Sequence, residues 1–465
     1  MNKVVASPEE AIADLEDGAS VAFAGFGLLH RFPVSLMNAL LAKGAKELTF
    51  VCNSLGAGND ARMQMVENRQ VKKLVAAFSA RPGSRSVAEE LIDSGQLEVE
   101  LVPQGILVER CRAAGAGIPA FYSPVSVGTP LAEGRETREF NGRKYLMEYA
   151  LPVDYAFCRG WKADTEGNVV FRGGSQNFSP AFAKAARVAI VEVDEIVQPG
   201  ELQPHEIDLQ GIWVQRIVQA TTQLDYKELN AARAPRRAAD TAKQYNGKPA
   251  LTREAIAKRA AALLPDGSYV NLGVGIPTLV SNYVTDRDVI LHAENGVMKY
   301  GALVYGDDID PDIYNAGGQF VNIRQGASYF DSVASFEMAR GGALHAVILG
   351  AYQVDQEGNL ANWTTPDQAG GGIGGAMDLV AGARTLMIVM EHRDSKDRPK
   401  LVRRCDYGLT GEQCVDIVVT DLALLIRRDG RFVLEEVAPG FTPQEVAALT
   451  DMEITIPDKI GVMTA

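Results

Sequence analysis

One carboxylate stands apart in this sequence. In Leu291-His292-Ala293-Glu294-Asn295-Gly296-Val297, an apolar run that starts at Val289 delivers Glu294 directly into Asn295-Gly296. Asn-Gly is a strong turn signal because both residue types tolerate positive φ. A carboxylate at a strand-to-turn junction sits on a rigid element at a sheet edge, where α/β folds keep reactive groups. The alternative is a solvated turn glutamate. Downstream, Gly370-Gly371-Gly372-Ile373-Gly374-Gly375 runs into the apolar patterning of Ala376-Met377-Asp378-Leu379-Val380, a helix start. Exposed backbone N–H groups at such a junction can hold a developing oxyanion. A carboxylate nucleophile beside an amide-rich loop points to acyl transfer through a glutamyl intermediate.

Composition narrows the alternatives. Hydrophobic residues make up 46% and charged residues 23% of 465 residues, with a formal net charge of -13. Such a length suggests two domains, or two halves of a pseudo-dimer. No basic run exceeds a pair such as Arg236-Arg237, which argues against a nucleic-acid surface. The five cysteines and five histidines show no metal-ligand spacing, so no metal is expected. No apolar run reaches membrane-spanning length, and the first residues lack a signal core, so the expectation is a cytoplasmic protein without a membrane partner.

The elements that must position Glu294 read as alternating strands and helices, the rhythm of a parallel α/β sheet. Pro8 to Leu15 reads as a helix start with Ser7 as N-cap. Ser20–Ala24 and Leu48–Cys52 read as buried strands, the second followed by a polar turn from Asn53 to Gly56. Gln104 opens a helix. Further strands follow at Asp154–Phe157, Val169–Phe171 and Ala186–Val193. Lys227 to Gly247 is polar and lacks apolar periodicity over most of its length, so it reads as a linker.

Beyond it the first half's text returns. Asp266-Gly267-Ser268-Tyr269-Val270 echoes Asp17-Gly18-Ala19-Ser20-Val21, and Val289–Leu291 echoes Leu48–Phe50, with Glu294 near the earlier Cys52. Ala346–Gly350 to Glu357-Gly358-Asn359 echoes Asp154–Phe157 to Glu166-Gly167-Asn168, and Leu386–Glu391 echoes Val188–Val193. Four landmarks in one order indicate a duplication. The expected division is residues 1–226, a linker at 227–247, and residues 248–465 carrying the glutamate.

The His-Ala-Glu-Asn-Gly stretch, Asn271-Leu272-Gly273-Val274-Gly275-Ile276-Pro277, Gly326-Ala327-Ser328, Leu360-Ala361-Asn362-Trp363 and Gly374-Gly375-Ala376-Met377-Asp378-Leu379 resemble the family I CoA-transferases. In the first half Gly25-Phe26-Gly27, Gln104-Gly105, Gly115 to Tyr122 and Trp161-Lys162-Ala163-Asp164 resemble the other half of that family's enzymes. The resemblance spans nearly the whole chain, in the order of a fused α–β pair. It implies two tandem open-sheet α/β domains with the active site between them. It also implies ping-pong transfer of CoA from an acyl-CoA such as succinyl-CoA to a 3-oxo or short-chain carboxylic acid. Coenzyme A would be a substrate and a covalent thioester on Glu294, with no permanently bound cofactor. By the same resemblance Gly375 and Ala376 supply oxyanion amides, while Asn53, Gln104, Asn271, Gly273, Gly275, Asn362 and Gly374 line the substrate site. A homodimer is the expected assembly.

Two departures from the family pattern stand out. The first-half loop reads Gly25-Phe26-Gly27-Leu28-Leu29-His30-Arg31-Phe32-Pro33, one residue longer than the family's and lacking its third glycine, so His30 or Arg31 either enters the acyl pocket or lies on the outer surface. Where the family carries a CoA-associated lysine, this chain has Gly318, leaving Arg324 and Arg340 as candidate replacements. Competing functions are a thioester hydrolase on the same fold, a ligand sensor, and a nicotinamide dehydrogenase. For the last, neither Gly25-Phe26-Gly27 nor Gly273-Val274-Gly275 completes G-x-G-x-x-G.

Overall fold

The structure is a computed structural model, and it describes residues 1–27, 31–56, 60–80, 85–222 and 241–464. Two large sheets carry it. In the first, seven strands lie in the order Arg216–Gln219, Ala186–Val197, Val153–Asp164, Ser20–Phe23, Leu48–Ser54, Val71–Phe78 and Glu98–Leu101. Every neighbour along that order runs parallel. Such strands are covered on both faces, which explains why Val21, Ala22 and Phe23 are all fully buried.

The second sheet is mixed, contrary to the uniformly parallel rhythm expected. Its centre is parallel: Val289–Ala293, Ser268–Leu272, Ala346–Leu349, Leu386–Val389 and Ile417–Val419. On its flanks Val297–Leu303, Val321–Tyr329, Ala423–Arg428 and Arg431–Val437 add antiparallel, and the terminal Gly461–Val462 strand adds parallel. The cause beside Glu294 is local. Gly296 adopts φ of 103°, and a Cβ there would lie 1.8 Å from the Phe330 carbonyl oxygen, so only glycine lets the chain reverse so tightly.

The duplication is visible in strand order. Ala186–Val197, Val153–Asp164, Ser20–Phe23 and Leu48–Ser54 recur, in the same order, as Leu386–Val389, Ala346–Leu349, Ser268–Leu272 and Val289–Ala293. The Glu-Gly-Asn turns match atom for atom. Asp164 Oδ1 accepts from the N–H groups of Glu166 and Asn168, and Asp355 Oδ1 from those of Glu357 and Asn359. Register refines one echo. Val21 pairs with Phe50 and Val270 with Leu291, so Glu294 corresponds to Asn53 rather than to Cys52. Asn53 and Ser54 belong to the Leu48–Ser54 strand, not to the expected turn. The first helix is also shorter than expected, Pro8–Ala11, although Ser7 caps it.

Residues 227–240 of the expected linker lie outside the described residues. Its last part is ordered: Gln244–Tyr245 pairs with Lys248–Pro249, and the buried Tyr245 hydroxyl donates to Asp421 at 3.0 Å. One apolar cluster takes buried residues from both halves, Phe26 and Ile106 with Tyr314, Phe336 and Met377. Three further clusters each belong to one half. Among the described residues no helix is long and apolar enough to cross a membrane.

Arg31 lies neither in an acyl pocket nor on the outer surface. It is buried, holding Asp312 of the second half through Nε and Nη2 and Asp194 of the first at 2.6 Å. Arg172 joins Asp312 at 2.6 Å and Asp310 at 2.7 Å. Removing one partner of a buried pair leaves uncompensated charge, so Arg31→Ala is expected to cost about 3–5 kcal/mol, read as a lowered denaturation midpoint. His30 lies outside the described residues.

Candidate active site between the two halves

Glu294 extends the Val289–Ala293 strand into the tight turn. Its Oε2 is buried and has no hydrogen-bond partner among the described residues. Two residues earlier His292 is fully buried, with Nδ1 3.1 Å from Asn271 Nδ2, Nε2 3.0 Å from Ser335 Oγ, and its ring stacked on Phe330. Burial lowers its pKa to about 4, so it remains neutral. It ties the Glu294 strand to its neighbour and to the Ser332–Arg340 helix. Asn271, expected to line the substrate site, serves this anchor instead. It is fully buried and donates to the His292 carbonyl at 3.3 Å.

The first half supplies the opposite wall. Asn53, at the strand end equivalent to that of Glu294, accepts from Gln104 Nε2 at 2.7 Å. Gln104 begins the Gln104–Gly115 helix, and its N–H donates to Gly374 O at 2.9 Å. The glycine run is therefore not a free loop. Phe78 bridges to Gly372, Ser79 N–H donates to Gly371 O, and Ile373 N–H donates to Ala77 O. The run adds to the end of a first-half strand. Beyond it Gly105 N–H donates to Asp378 Oδ2 at 2.9 Å.

These contacts bring Gly375 against the glutamate. A Cβ at residue 375 would lie 2.3 Å from Glu294 Oε2 and 2.9 Å from Phe336. Gly375 N–H has no acceptor among the described residues, while Ala376 N–H makes a long 3.3 Å bond to Ile373 O. Asn362 is fixed by Thr410, whose hydroxyl donates to Asn362 Oδ1 at 2.7 Å, and by its own donation to Gly350 O at 3.1 Å.

Together they enclose a cavity of about 490 Å³ lined by Asn53, Gln104, Gly273, Glu294, Asn362, Gly374, Gly375 and Ala376. Gly275 does not line it. With φ of 96° it instead begins the short Ile276–Leu279 helix. Much of the remaining wall is apolar or aromatic, with Phe26, Phe78, Val274, Tyr352 and Trp363. Phe26, Val274 and Trp363 lie inside motifs already singled out, whereas Phe78 and Tyr352 carry no motif and gave the sequence reading no signal.

The electrostatic effect of Asp378 on Glu294 also escaped the sequence. Burial first, then the Asp378 charge, raises the Glu294 pKa to about 8. Asp378 is itself pushed up to about 6 by burial, against the opposing pull of Arg340 and the Gly105 N–H. Arg340 Nη1 lies 3.6 Å from Asp378 and Nη2 3.1 Å from Glu109. Arg340 is thus committed to a buried ion network, and Arg324 to the carbonyls of Val289 and Arg287. Neither is free to replace the family's lysine at Gly318. Because a nucleophilic carboxylate must be ionised, kcat/KM is expected to rise with pH toward a plateau, with its midpoint near 8. Removing the neighbouring negative charge favours ionisation, so Asp378→Asn should move that midpoint lower in a pH series of initial rates. Among the described residues no group of three or more His, Cys, Asp or Glu side chains could hold a metal ion.

Two facing α/β units with a carboxylate and an amide-rich turn at their junction define an acyl-transfer site, and likeness to known proteins agrees. The coenzyme A transferase family model matches residues 5–220 and 253–449. The chain belongs to that family. It is 38% identical over 464 residues, 95% of this chain and 88% of the relative, to the mouse mitochondrial succinyl-CoA:3-ketoacid coenzyme A transferase 2B. It is 43% identical over 217 residues, 47% of this chain and 92% of the relative, to one of the separate subunits of the succinyl-CoA:3-ketoacid coenzyme A transferase of Helicobacter pylori J99. The fold matches an acyl-CoA transferase from Escherichia coli O157:H7, crystallised as a thioester complex with CoA, with a TM-score of 0.78 and 20% identity over 99% of this chain and 95% of that one. The protein is a CoA-transferase, and these relatives do not favour the hydrolase alternative.

Proposed function

We propose that this chain moves CoA from succinyl-CoA to a 3-oxo or short-chain carboxylic acid through a thioester on Glu294. The observation that carries this reading is the unpartnered Glu294 Oε2 packed against Gly375 inside the inter-half cavity. The succinyl and 3-ketoacid parts rest on the names of the relatives. The division into residues 1–226 and 248–465 rests on the recurring strand order and on the Helicobacter pylori relative, which is similar to 47% of the chain.

Glu294 attacks the acyl-CoA carbonyl carbon, and the C–S bond breaks to give a mixed anhydride and CoA thiolate. The thiolate attacks the glutamyl carbonyl carbon, releasing the first acid and leaving CoA joined to Glu294. The second acid reverses both steps. Moving CoA between two carboxylic acids is nearly isoenergetic, so the chemistry needs no other energy source. The barrier lies in the attacks, each of which develops an oxyanion. Gly375 N–H is the available donor, and Ala376 N–H becomes the second as its long bond to Ile373 opens. A preorganised donor of this kind is worth about 3–4 kcal/mol. Asn53 and Gln104 offer amide groups to the acid, and Asn362 and Gly273 close the side toward the second half.

The test is mass analysis of the Glu294 peptide after succinyl-CoA followed by borohydride, which reduces a glutamyl thioester to an alcohol. Loss of the carboxyl at Glu294 is the expected result. An unmodified Glu294 across several acyl-CoAs that bind would overturn the mechanism. CoA release that does not depend on an acceptor acid would restore the hydrolase.

A further inference from the structure

A second cavity, of about 580 Å³, lies behind the catalytic one, with Tyr352 forming part of both walls. Lys400 lines it, held by its backbone: its N–H donates to His392 O, and its carbonyl accepts from Val354 N–H. Its side chain is only partly accessible. Its Nζ has no hydrogen bond or ion pair among the described residues, although the cavity is rich in charge.

Most of the neighbouring charges are matched by an opposite one, while the lining carboxylates Asp406 and Asp451 form no ion pair among the described residues. Glu391 is held by Arg253 at 2.9 Å and Lys243 at 3.2 Å, Asp394 by Arg398 at 2.7 Å, and Arg393 by Asp397 at 2.8 Å. Lys400 is the amine left over. Burial lowers its pKa to about 8, reinforced by Lys243 and opposed by Glu391, Asp394 and Asp421. An amine that is desolvated, uncommitted and open to a cavity is a nucleophile, whereas an exposed lysine stays a hydrated ammonium near neutral pH.

We propose that Lys400 is an acyl-acceptor site that takes an acyl group from acyl-CoA to form an N-acyl-lysine. The Nζ lone pair attacks the thioester carbonyl carbon, a C–N bond forms, and the C–S bond breaks. CoA leaves as the thiolate and takes up the proton that the nitrogen sheds. No oxidant or further reactant is required. The inference rests on this chain handling acyl-CoA, and it places a slow self-acylation one aromatic side chain away from the transfer site.

The test uses the full-length protein, with succinyl-CoA as one probe and trace acetic anhydride as a CoA-independent one. Glu-specific digestion and mass analysis give the rate at each lysine, with exposed Lys46 and Lys396 as internal references. Near pH 7.5 a group with a pKa of about 8 carries about two-hundredfold more free amine than an ordinary lysine. Lower basicity and restricted access offset part of that, so with both probes Lys400 should react about tenfold faster than the references. Its rate should level off above pH 8. Equal or slower labelling of Lys400 by succinyl-CoA overturns the proposal, including the case in which the anhydride alone prefers it. CoA transfer is assayed on the same samples. Transfer without preferential labelling removes this proposal alone, and preferential labelling without transfer removes the transferase reading alone.

Discussion

Glu294→Gln should reduce CoA transfer by roughly four to six orders of magnitude, the usual result of deleting a covalent nucleophile from a built site. The amide keeps the size of the side chain but cannot carry the mixed anhydride or the thioester. The borohydride-sensitive species should vanish with the activity. Stability should move the other way. The Glu294 pKa is raised in the folded protein from 4.5 to about 8, so folding binds a proton between those values. The stability contribution is fully present below pH 4.5 and is lost as pH rises through about 8, where the ionised group penalises the fold. The substituted amide never ionises. The variant should therefore denature at a higher midpoint than the parent at pH 8 and above, by an amount on the order of a few kcal/mol. Equal midpoints would mean that the carboxylate reaches water more easily than its packing shows.

Gly375→Ala is expected to lower kcat by about 10²–10³-fold. The added methyl would lie 2.3 Å from Glu294 Oε2, so the carboxylate must leave its position beside the Gly375 amide. The backbone offers no other reason for glycine here. Its φ of -90° and ψ of 3° suit any residue, which separates this position from Gly296, where φ is 103° and a side chain would strike backbone. Gly375→Ala should therefore keep its backbone conformation, lose some stability because the methyl also meets the buried Phe336 ring at 2.9 Å, and fail in the acylation step. Rapid-mixing measurement of thioester formation on Glu294 shows the defect directly. An unchanged rate would mean that the carboxylate swings to another productive position.

Position 375 also shows where sequence reasoning reached and where it stopped. The Asn295-Gly296 turn, the strand feeding it and the helix after the glycine run depend on neighbours a few residues away, so local chemistry determined them. The repeat, a pattern written into the chain itself, announced two copies of one unit, but it set Glu294 near Cys52, and only strand register made Asn53 its counterpart. Eight of the expected site residues, four of them backbone positions in or next to glycine turns, line one cavity.

Other features of the site took shape only in three dimensions. Asn271 sits in a motif beside the site, yet pleating and register turn it toward His292 and away from the cavity. Arg31, in a loop unlike the family's, closes an ion pair to a residue 281 positions away. Asp378 was visible as part of a motif, but its influence on Glu294 comes through the interior. Its carboxylate is fixed by Gly105, 273 positions away, and by Arg340. Burial, charge proximity and packing depend on distance in space, and a chain of 465 residues does not print that distance along its length. Propensity and periodicity act over a turn or two, so the linear text specified which groups could react and which elements carry them. Folding two copies face to face selected which groups meet, and buried one carboxylate against an amide-rich turn.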